Sequence, residues 1–128
     1  MAWLTWIIID CTLAAFLILI RLTLVGPEKA REWLDKGGSV IDVRSEDEFQ
    51  KGHLPGAINV PLDQLRDASG WLAPHKEQPL LLHSLSGIRS GMGKVMLRKM
   101  GYPNVFNLGS YGRAGRILVS QIAVGRNS

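Results

Sequence analysis

The hydrophobic pattern divides the chain into two unequal parts. From Ala2 to Val25 apolar residues run almost without interruption, and the only charged side chains among them are Asp10 and Arg21. One helix of about 20 apolar residues can cross a bilayer, so this run is long enough to span one. We therefore predict a transmembrane anchor over residues 1–25 and a separate domain over residues 26–128.

Two alternatives compete with an anchor. A cleaved signal peptide would need a basic start and small residues at a cut site, and neither pattern is present. A helix buried in a soluble protein usually keeps one polar face, whereas apolar residues surround this one. Trp3 and Trp6 suit the membrane interface. Asp10 weighs against an anchor, because a carboxylate at the centre of a membrane helix costs about 2.5–3.5 kcal/mol.

Basic residues set the predicted orientation of the anchor. None precedes the apolar run, whereas Arg21, Lys29, Arg31 and Lys36 end or follow it. The positive-inside rule then places the N-terminus outside and the domain in the cytoplasm. We expect a single-pass protein of an inner or plasma membrane that contacts the bilayer through residues 2–25.

After Gly26 the pattern changes to short apolar runs that alternate with amphipathic segments. Such alternation predicts an α/β fold, in which a central, mostly parallel sheet carries helices on both faces. The predicted helices are 27–36, a short one capped by Ser45 that ends at Gly52, 62–72, 90–100 and 113–124; the predicted strands are 40–43, one within 53–61, 79–83 and 104–108.

Composition excludes several classes of function. The net charge of +4 is mild, and no basic stripe interleaved with aromatic residues is present, so we expect no nucleic-acid partner. No spacing of cysteine and histidine supports a metal site, and no cofactor is expected. The lone cysteine, Cys11, cannot form an internal disulfide and is interpreted as a small hydrophobic residue of the apolar run.

A short polar loop, Ser84–Arg89, separates the third predicted strand from the helix after it. Ligands of open α/β sheets bind beyond the carboxyl ends of strands, where helix N-termini attract anions. Gly87 allows the positive φ that a curled loop needs, and Arg89 adds a positive charge. The loop therefore suits an anion or a thiolate, although an ordinary structural turn has the same composition.

Three segments together resemble the rhodanese-like domain family. "VIDVRSEDEFQKGHLPGAINVP" is similar to its first signature, "LLLHSLSGIRS" to its active-site loop and "LRKMGYPNVFNLGS" to the segment that follows. The resemblance covers about Pro27 to Leu118 and implies the small rhodanese α/β fold with a five-stranded parallel sheet. It also implies a sulfurtransferase, in which a loop cysteine takes sulfane sulfur from thiosulfate or a persulfide donor and passes it to a thiol or cyanide acceptor.

The resemblance assigns roles to the loop residues. It places Ser84 at the position of the family's cysteine and implies that Arg89 closes the cradle around it. The substrate-binding positions that it implies are Leu85, Ser86, Gly87, Ile88, Arg89 and Ser90. Asp42 and Arg44 match the first signature, where structural ion pairing is the favoured role, and His53 is expected to fix its turn.

The serine departs from the family pattern. A helix N-terminus and an arginine can ionise a thiol, but a serine hydroxyl needs an adjacent general base. His83 is next in sequence, yet successive side chains of a strand point to opposite faces. Oxygen also cannot carry a persulfide, so the chain is predicted to be inactive in sulfur transfer. Either a cysteine was replaced in an otherwise competent enzyme, or the domain is a membrane-tethered module that binds an anion or a partner protein.

Loop length separates the sulfurtransferases from a third possibility, a phosphatase. Four residues lie between Ser84 and Arg89, which resembles the sulfurtransferase loop. The related dual-specificity phosphatases have one residue more, which makes room for a phosphate. The short loop therefore favours sulfur chemistry over phosphate chemistry.

Overall fold

The computed structural model describes residues 1–126, so the last two residues of the predicted domain 26–128 lie outside the described part. Its helices are α1 (Ala2–Leu22), α2 (Pro27–Asp35), α3 (Glu46–Gln50), α4 (Leu65–Leu72), α5 (Ile88–Lys99) and α6 (Tyr111–Arg126). Its strands are β1 (Ser39–Asp42), β2 (Ile58–Asn59), β3 (Leu80–His83) and β4 (Val105–Gly109). A 3-10 turn, Leu62–Gln64, leads into α4. The predicted α/β order of elements is confirmed.

The sheet has the order β2-β1-β3-β4, and every pairing within it is parallel. The described residues form four strands, so the five strands implied by the resemblance are a wrong prediction. The outer side of β4 is instead met by Leu24, which makes a single parallel bridge to Asn107. A glycine and a proline follow Leu24 and Val25, and α2 begins at once, which leaves no length for a full strand.

Two apolar layers cover the two faces of the sheet. Alternation along β3 sends Leu80 and Leu82 to one layer and Leu81 to the other, as a strand buried on both faces requires. The first layer includes side chains of α4 and α5, and the second includes side chains of α2 and α6. The carboxyl ends of β1 and β3 are thereby held side by side, with Asp42 opposite His83 in the register.

Helix α1 joins the domain through a short, hydrogen-bonded junction. The Asn107 amide nitrogen donates to the Thr23 hydroxyl at 2.9 Å, and the Val25 N–H donates to the Asn107 carbonyl at 2.9 Å. Lys94 donates to the Thr23 carbonyl at 2.8 Å, and the Arg113 guanidinium donates to the Val25 carbonyl. These bonds fix the end of α1 on the edge of the sheet rather than on a free linker.

No residue of α1 is buried, and within the described residues it alone is long and apolar enough to cross a membrane. A signal sequence near the N-terminus meets the same criteria of length and composition.

Candidate active-site loop

The loop Ser84–Gly87 connects β3 directly to α5, at the carboxyl edge of the sheet. Its ends are tied to the neighbouring chain. The Ser84 N–H donates to the Gly109 carbonyl at 3.2 Å, and the Tyr111 N–H donates to the Leu85 carbonyl at 3.2 Å. The loop is therefore attached both to the end of β4 and to the start of α6.

The Ser84 side chain is fully buried at the centre of this loop. Its Oγ accepts hydrogen bonds from the backbone N–H groups of Gly87 at 3.0 Å and of Ser90 at 3.3 Å. It also lies 3.2 Å from the Ser90 hydroxyl, and either oxygen can donate. Donors that converge on one side-chain atom at a helix N-terminus stabilise negative charge on that atom.

Other backbone donors of the loop have no partner. Within the described residues, no acceptor meets the N–H groups of Leu85, Ser86, Ile88 and Arg89. Consecutive free N–H groups in a curled segment form an anion-binding nest, and the dipole of α5 adds to it. The loop can therefore stabilise charge both at position 84 and on a ligand above it.

Gly87 makes the curl possible. Its φ is +93°, in the left-handed region that L-residues with a side chain rarely adopt. A Cβ built there would lie 3.1 Å from the Cα and carbonyl carbon of Gly109, so the end of β4 also leaves no space for one. The loop residues Gly87 and Ser90 are buried, whereas Leu85 and Ser86 are exposed.

Asn107 supports the loop from β4, and it was not among the predicted site residues. Its amide nitrogen donates to the Gly87 carbonyl at 3.2 Å, and its amide oxygen accepts from the Gly109 N–H at 2.9 Å. Asn107 is fully buried, and a buried amide in a strand is uncommon unless it is hydrogen-bonded. The polar residue within the apolar run "VFNL" was the available signal.

Arg89 is engaged by a partner that the sequence pattern did not indicate. It donates to both carboxylate oxygens of Glu48, at 2.7 and 3.0 Å. This hydrogen bond is the main reason why the pKa of Glu48 falls to about 2, while burial opposes the shift. Glu48 also forms a capping box of α3 with Ser45, the residue predicted to cap this helix. A carboxylate therefore offsets the charge of Arg89, while its predicted role in closing the cradle stays a prediction.

A second polar cluster lies at the end of β1. Arg44 donates to both oxygens of Asp42, at 3.0 Å through Nε and 2.8 Å through its terminal nitrogen, and both residues are buried. The same guanidinium lies 4.7 Å from the centre of the Tyr111 ring and donates to the Gly52 carbonyl at 2.8 Å. Asp42 and Arg44 thus bind the first signature to the start of α6.

His83 belongs to this second cluster and not to the loop. Its Nε2 lies 3.7 Å from Asp42, and its ring meets Tyr111 edge to face. Burial lowers the pKa of His83 and outweighs the opposing effect of Asp42. Within the described residues neither ring nitrogen has a hydrogen-bond partner. The ring therefore makes no hydrogen bond to Ser84, and among the described residues no general base contacts the Ser84 hydroxyl.

His53 lies on the turn that follows α3. Its Nδ1 contacts the Phe49 carbonyl at 3.0 Å, and its ring stacks on the Phe49 ring with the centroids 3.8 Å apart. These contacts hold the turn in place. No group of metal-ligating side chains occurs among the described residues.

Comparison with known proteins matches this fold and loop to one family. Residues 26–111 match the rhodanese-like domain. The chain is 36% identical over 69 residues to the thiosulfate sulfurtransferase PspE of Escherichia coli, a match that covers 54% of this chain and 66% of that protein. The uncharacterised protein YibN of Escherichia coli is 37% identical over 82 residues, which cover 62% of this chain and 57% of that protein.

Solved structures show the same fold. The human single-domain sulfurtransferase TSTD1 superposes with a TM-score of 0.62 at 27% identity, over 71% of this chain and 93% of that chain. The α/β rhodanese fold predicted from the sequence is thereby confirmed. The chain spans less than two thirds of the length of the curated relatives it matches first.

Proposed function

Because the chain belongs to the rhodanese-like domain family, we propose that it is a sulfurtransferase scaffold whose sulfur-carrying position is occupied by Ser84. The observation that carries the proposal is the pair of backbone N–H groups that converge on the Ser84 Oγ, at 3.0 and 3.3 Å. Backbone N–H groups form stronger hydrogen bonds to an anionic sulfur than to a neutral hydroxyl. The loop can therefore stabilise more negative charge at position 84 than a serine side chain carries.

The chemistry expected of this scaffold begins with a thiolate at position 84. The thiolate attacks the sulfane sulfur of thiosulfate, the sulfur–sulfur bond breaks, and sulfite leaves with the electron pair. The resulting persulfide is then attacked at its terminal sulfur by cyanide or a thiol, which restores the thiolate. Serine performs neither step, because its hydroxyl stays protonated without a base and forms no persulfide.

The backbone supplies most of the expected charge stabilisation. Arg89 is already paired with Glu48, whereas the N–H groups of Leu85, Ser86, Ile88 and Arg89 have no acceptor within residues 1–126. Donors that are fixed before reaction stabilise developing charge without reorganisation. The anionic donor is thus expected to rest on the nest, with Arg89 and Glu48 holding the start of α5.

The decisive experiment is Ser84→Cys in the full chain. We expect thiocyanate formation from thiosulfate and cyanide in the variant and none in the unchanged chain. Ser86→Cys is the matched control, since it adds a thiol to the exposed part of the same loop and should stay inactive. Activity in the unchanged chain would contradict the assigned chemistry. Phosphatase turnover in Ser84→Cys would instead favour the phosphate reading of the loop.

A second candidate is a non-catalytic module that binds an anion or a partner protein through the same nest. It is favoured by the free N–H groups, which remain available to a ligand although position 84 is a serine. This candidate predicts that Ser84→Cys stays inactive. It also predicts that Arg89→Ala, which releases the start of α5 from Glu48 and disturbs the nest, weakens thiosulfate- or sulfite-induced shifts of the loop amide signals in NMR spectra. Sulfur transfer by Ser84→Cys would decide against it as the sole function.

We further propose that α1 anchors the domain in an inner or plasma membrane, with the N-terminus outside and the domain in the cytoplasm. Its length, its exposed apolar surface and the basic residues after it support this placement. A membrane-impermeant maleimide should label Lys51→Cys only after cells are broken. Labelling of Lys51→Cys in intact cells would show that the domain lies outside and that the proposed orientation is wrong.

A further inference from the structure

The end of α1 lies beside the candidate active-site loop. A cavity of about 440 Å³ separates them and is lined by Ala14, Leu17, Ile18, Ile20 and Arg21 of α1 and by Ser86 and Ile88. The junction described above fixes this arrangement, because Thr23, Leu24 and Val25 are all bonded to the domain. The loop is thus held next to the last two turns of the helix.

Helix length makes this proximity consequential. At 1.5 Å per residue, 21 residues of α1 extend about 32 Å, which barely exceeds a hydrocarbon core of about 30 Å. If α1 crosses the bilayer, almost all of it is needed to do so. Ala14 lies about 12 Å from the end of the helix. The cavity also reaches Ile20 and Arg21, within about 3 Å of the helix end, so the loop beside it lies at or below the interfacial layer and not in open solvent.

The surface around this junction suits such a layer. Leu85 is 59% exposed, and Met92 and Val95 on α5 are 50% and 44% exposed. Met92 and Val95 line a groove together with Ile20 of α1, and Leu85 directly precedes Ser86, which lines the cavity against α1. We call Leu85, Met92 and Val95 the α5 face. Exposed apolar side chains next to a membrane helix bury their surface in the headgroup and acyl boundary.

A basic groove continues the α5 face. It has a volume of about 640 Å³ and is lined by Ile20, Leu62, Arg66, Gly91, Met92, Val95, Met96, Lys99 and Met100. None of the described residues that line it is acidic. Within the described residues the side chains of Arg66 and Lys99 have no hydrogen bond or ion pair. An apolar floor with two unpaired cations beside a membrane helix is complementary to an anionic phospholipid.

We propose that the α5 face and its basic groove rest on the bilayer surface and bind anionic phospholipid, so that the candidate active-site loop opens at the membrane interface. This inference rests on the proposed membrane anchor. The sulfur donor and the sulfur acceptor then reach the loop along the bilayer surface rather than from open solvent.

Labels at defined positions test the depth of the α5 face. The full chain with Cys11→Ala receives a single spin label at Leu85→Cys or Met92→Cys and is reconstituted into vesicles containing phosphatidylglycerol. Both labels should be accessible to oxygen and protected from an aqueous nickel reagent. Val119→Cys, which replaces a 68% exposed side chain on α6, is the matched control and should show the opposite accessibility.

A label on the native Cys11 separates the inference from the anchor itself. One outcome is a Cys11 label at membrane depth together with labels at Leu85→Cys and Met92→Cys that are as water-accessible as the label at Val119→Cys. In that case the proposed anchor is kept, and the proposed contact of the α5 face with the bilayer is wrong. If the Cys11 label is itself water-accessible, the proposed anchor is wrong, and the inference falls with it.

Vesicles of different lipid composition test the role of the two positive charges in the groove. Arg66→Gln with Lys99→Gln should reduce the nickel protection of the Met92→Cys label at least twofold in phosphatidylglycerol vesicles. Lys36→Gln with Lys51→Gln removes the same charge elsewhere and should leave the protection unchanged. Equal protection in vesicles of phosphatidylcholine alone would overturn the anionic part of the proposal. Loss of protection by free inorganic phosphate would assign the cations to a soluble anion instead.

Discussion

Two polar clusters lie at the carboxyl edge of the same sheet, and they use their polar groups in opposite ways. After β1, the carboxylate of Asp42 and the guanidinium of Arg44 are buried against one another, and most of their hydrogen-bonding capacity is used within the protein. After β3, the loop Ser84–Arg89 leaves several backbone N–H groups without a partner in the part of the chain that the structure describes. The first cluster therefore holds the domain together, and the second is available to a ligand. The capacity of each cluster to bind a ligand depends on its unpaired hydrogen-bond donors rather than on its number of charged side chains.

The largest effect is expected in the β1 cluster. Asp42→Ala leaves the buried Arg44 without its carboxylate, which should lower the free energy of unfolding by about 3–5 kcal/mol. Urea denaturation measures this loss. Asp63→Ala removes an exposed carboxylate and should stay within about 0.5 kcal/mol of the unchanged chain. If Asp42→Ala lowered the free energy of unfolding by less than about 1 kcal/mol, the structural role assigned to this cluster would be wrong.

The next effect concerns the loop. Gly87→Ala strains a residue at φ +93° and crowds Gly109 at 3.1 Å, so it should cost about 1–2 kcal/mol. Within the Ser84→Cys variant, the same change should lower kcat/KM for thiosulfate at least tenfold, because the N–H of residue 87 no longer points at position 84. Gly70→Ala, in the middle of α4 with open space around it, is the control and should raise stability by about 0.5–1 kcal/mol. Unchanged sulfur transfer in Gly87→Ala would show that the curl is not needed.

The smallest effect lies at the contact between α3 and the loop. Arg89 lowers the pKa of Glu48 to about 2, so their contact stabilises the fold above the ordinary glutamate pKa of about 4.5. That contribution should fade as pH falls from about 4.5 towards 2. Glu48→Gln should cost about 1 kcal/mol or less at pH 7, since the pair is partly exposed, and most of the difference from the unchanged chain should be lost by about pH 2.

Thermal unfolding followed across this pH range measures the effect. Glu46→Gln removes a charge from the same helix without touching Arg89 and should show no such convergence. A difference between Glu48→Gln and the unchanged chain that persists at pH 2 would assign it to packing rather than to charge.

The local sequence pattern was sufficient to predict much of the secondary structure of this molecule. The capping box at Ser45 and Glu48, the buried strand β3 and the alternation of strands and helices all depend on residues close together in sequence. Pairings between distant residues were not predictable in this way. Glu48 and Arg89 are separated by 41 positions, and Thr23 and Asn107 by 84. These pairs depend on which strand ends become neighbours, which no local period encodes.

The missing fifth strand has a similar origin. A family resemblance implies a sheet, but the number of strands depends on whether each segment is long enough to form a ladder. The segment before α2 contributes only Leu24 before Gly26 and Pro27 redirect the chain. The resemblance therefore gave the correct fold and an incorrect edge.

That edge gives the single bridge of Leu24 a protective role. Without it, the outer backbone groups of β4 would face solvent as an open template for another chain. A shortened chain that begins at Pro27 would lose α1 and also expose this edge, together with the amide of Asn107. Such a fragment is expected to self-associate through β4, so solubility and correct assembly of the domain depend on residues that belong neither to its helices nor to its sheet.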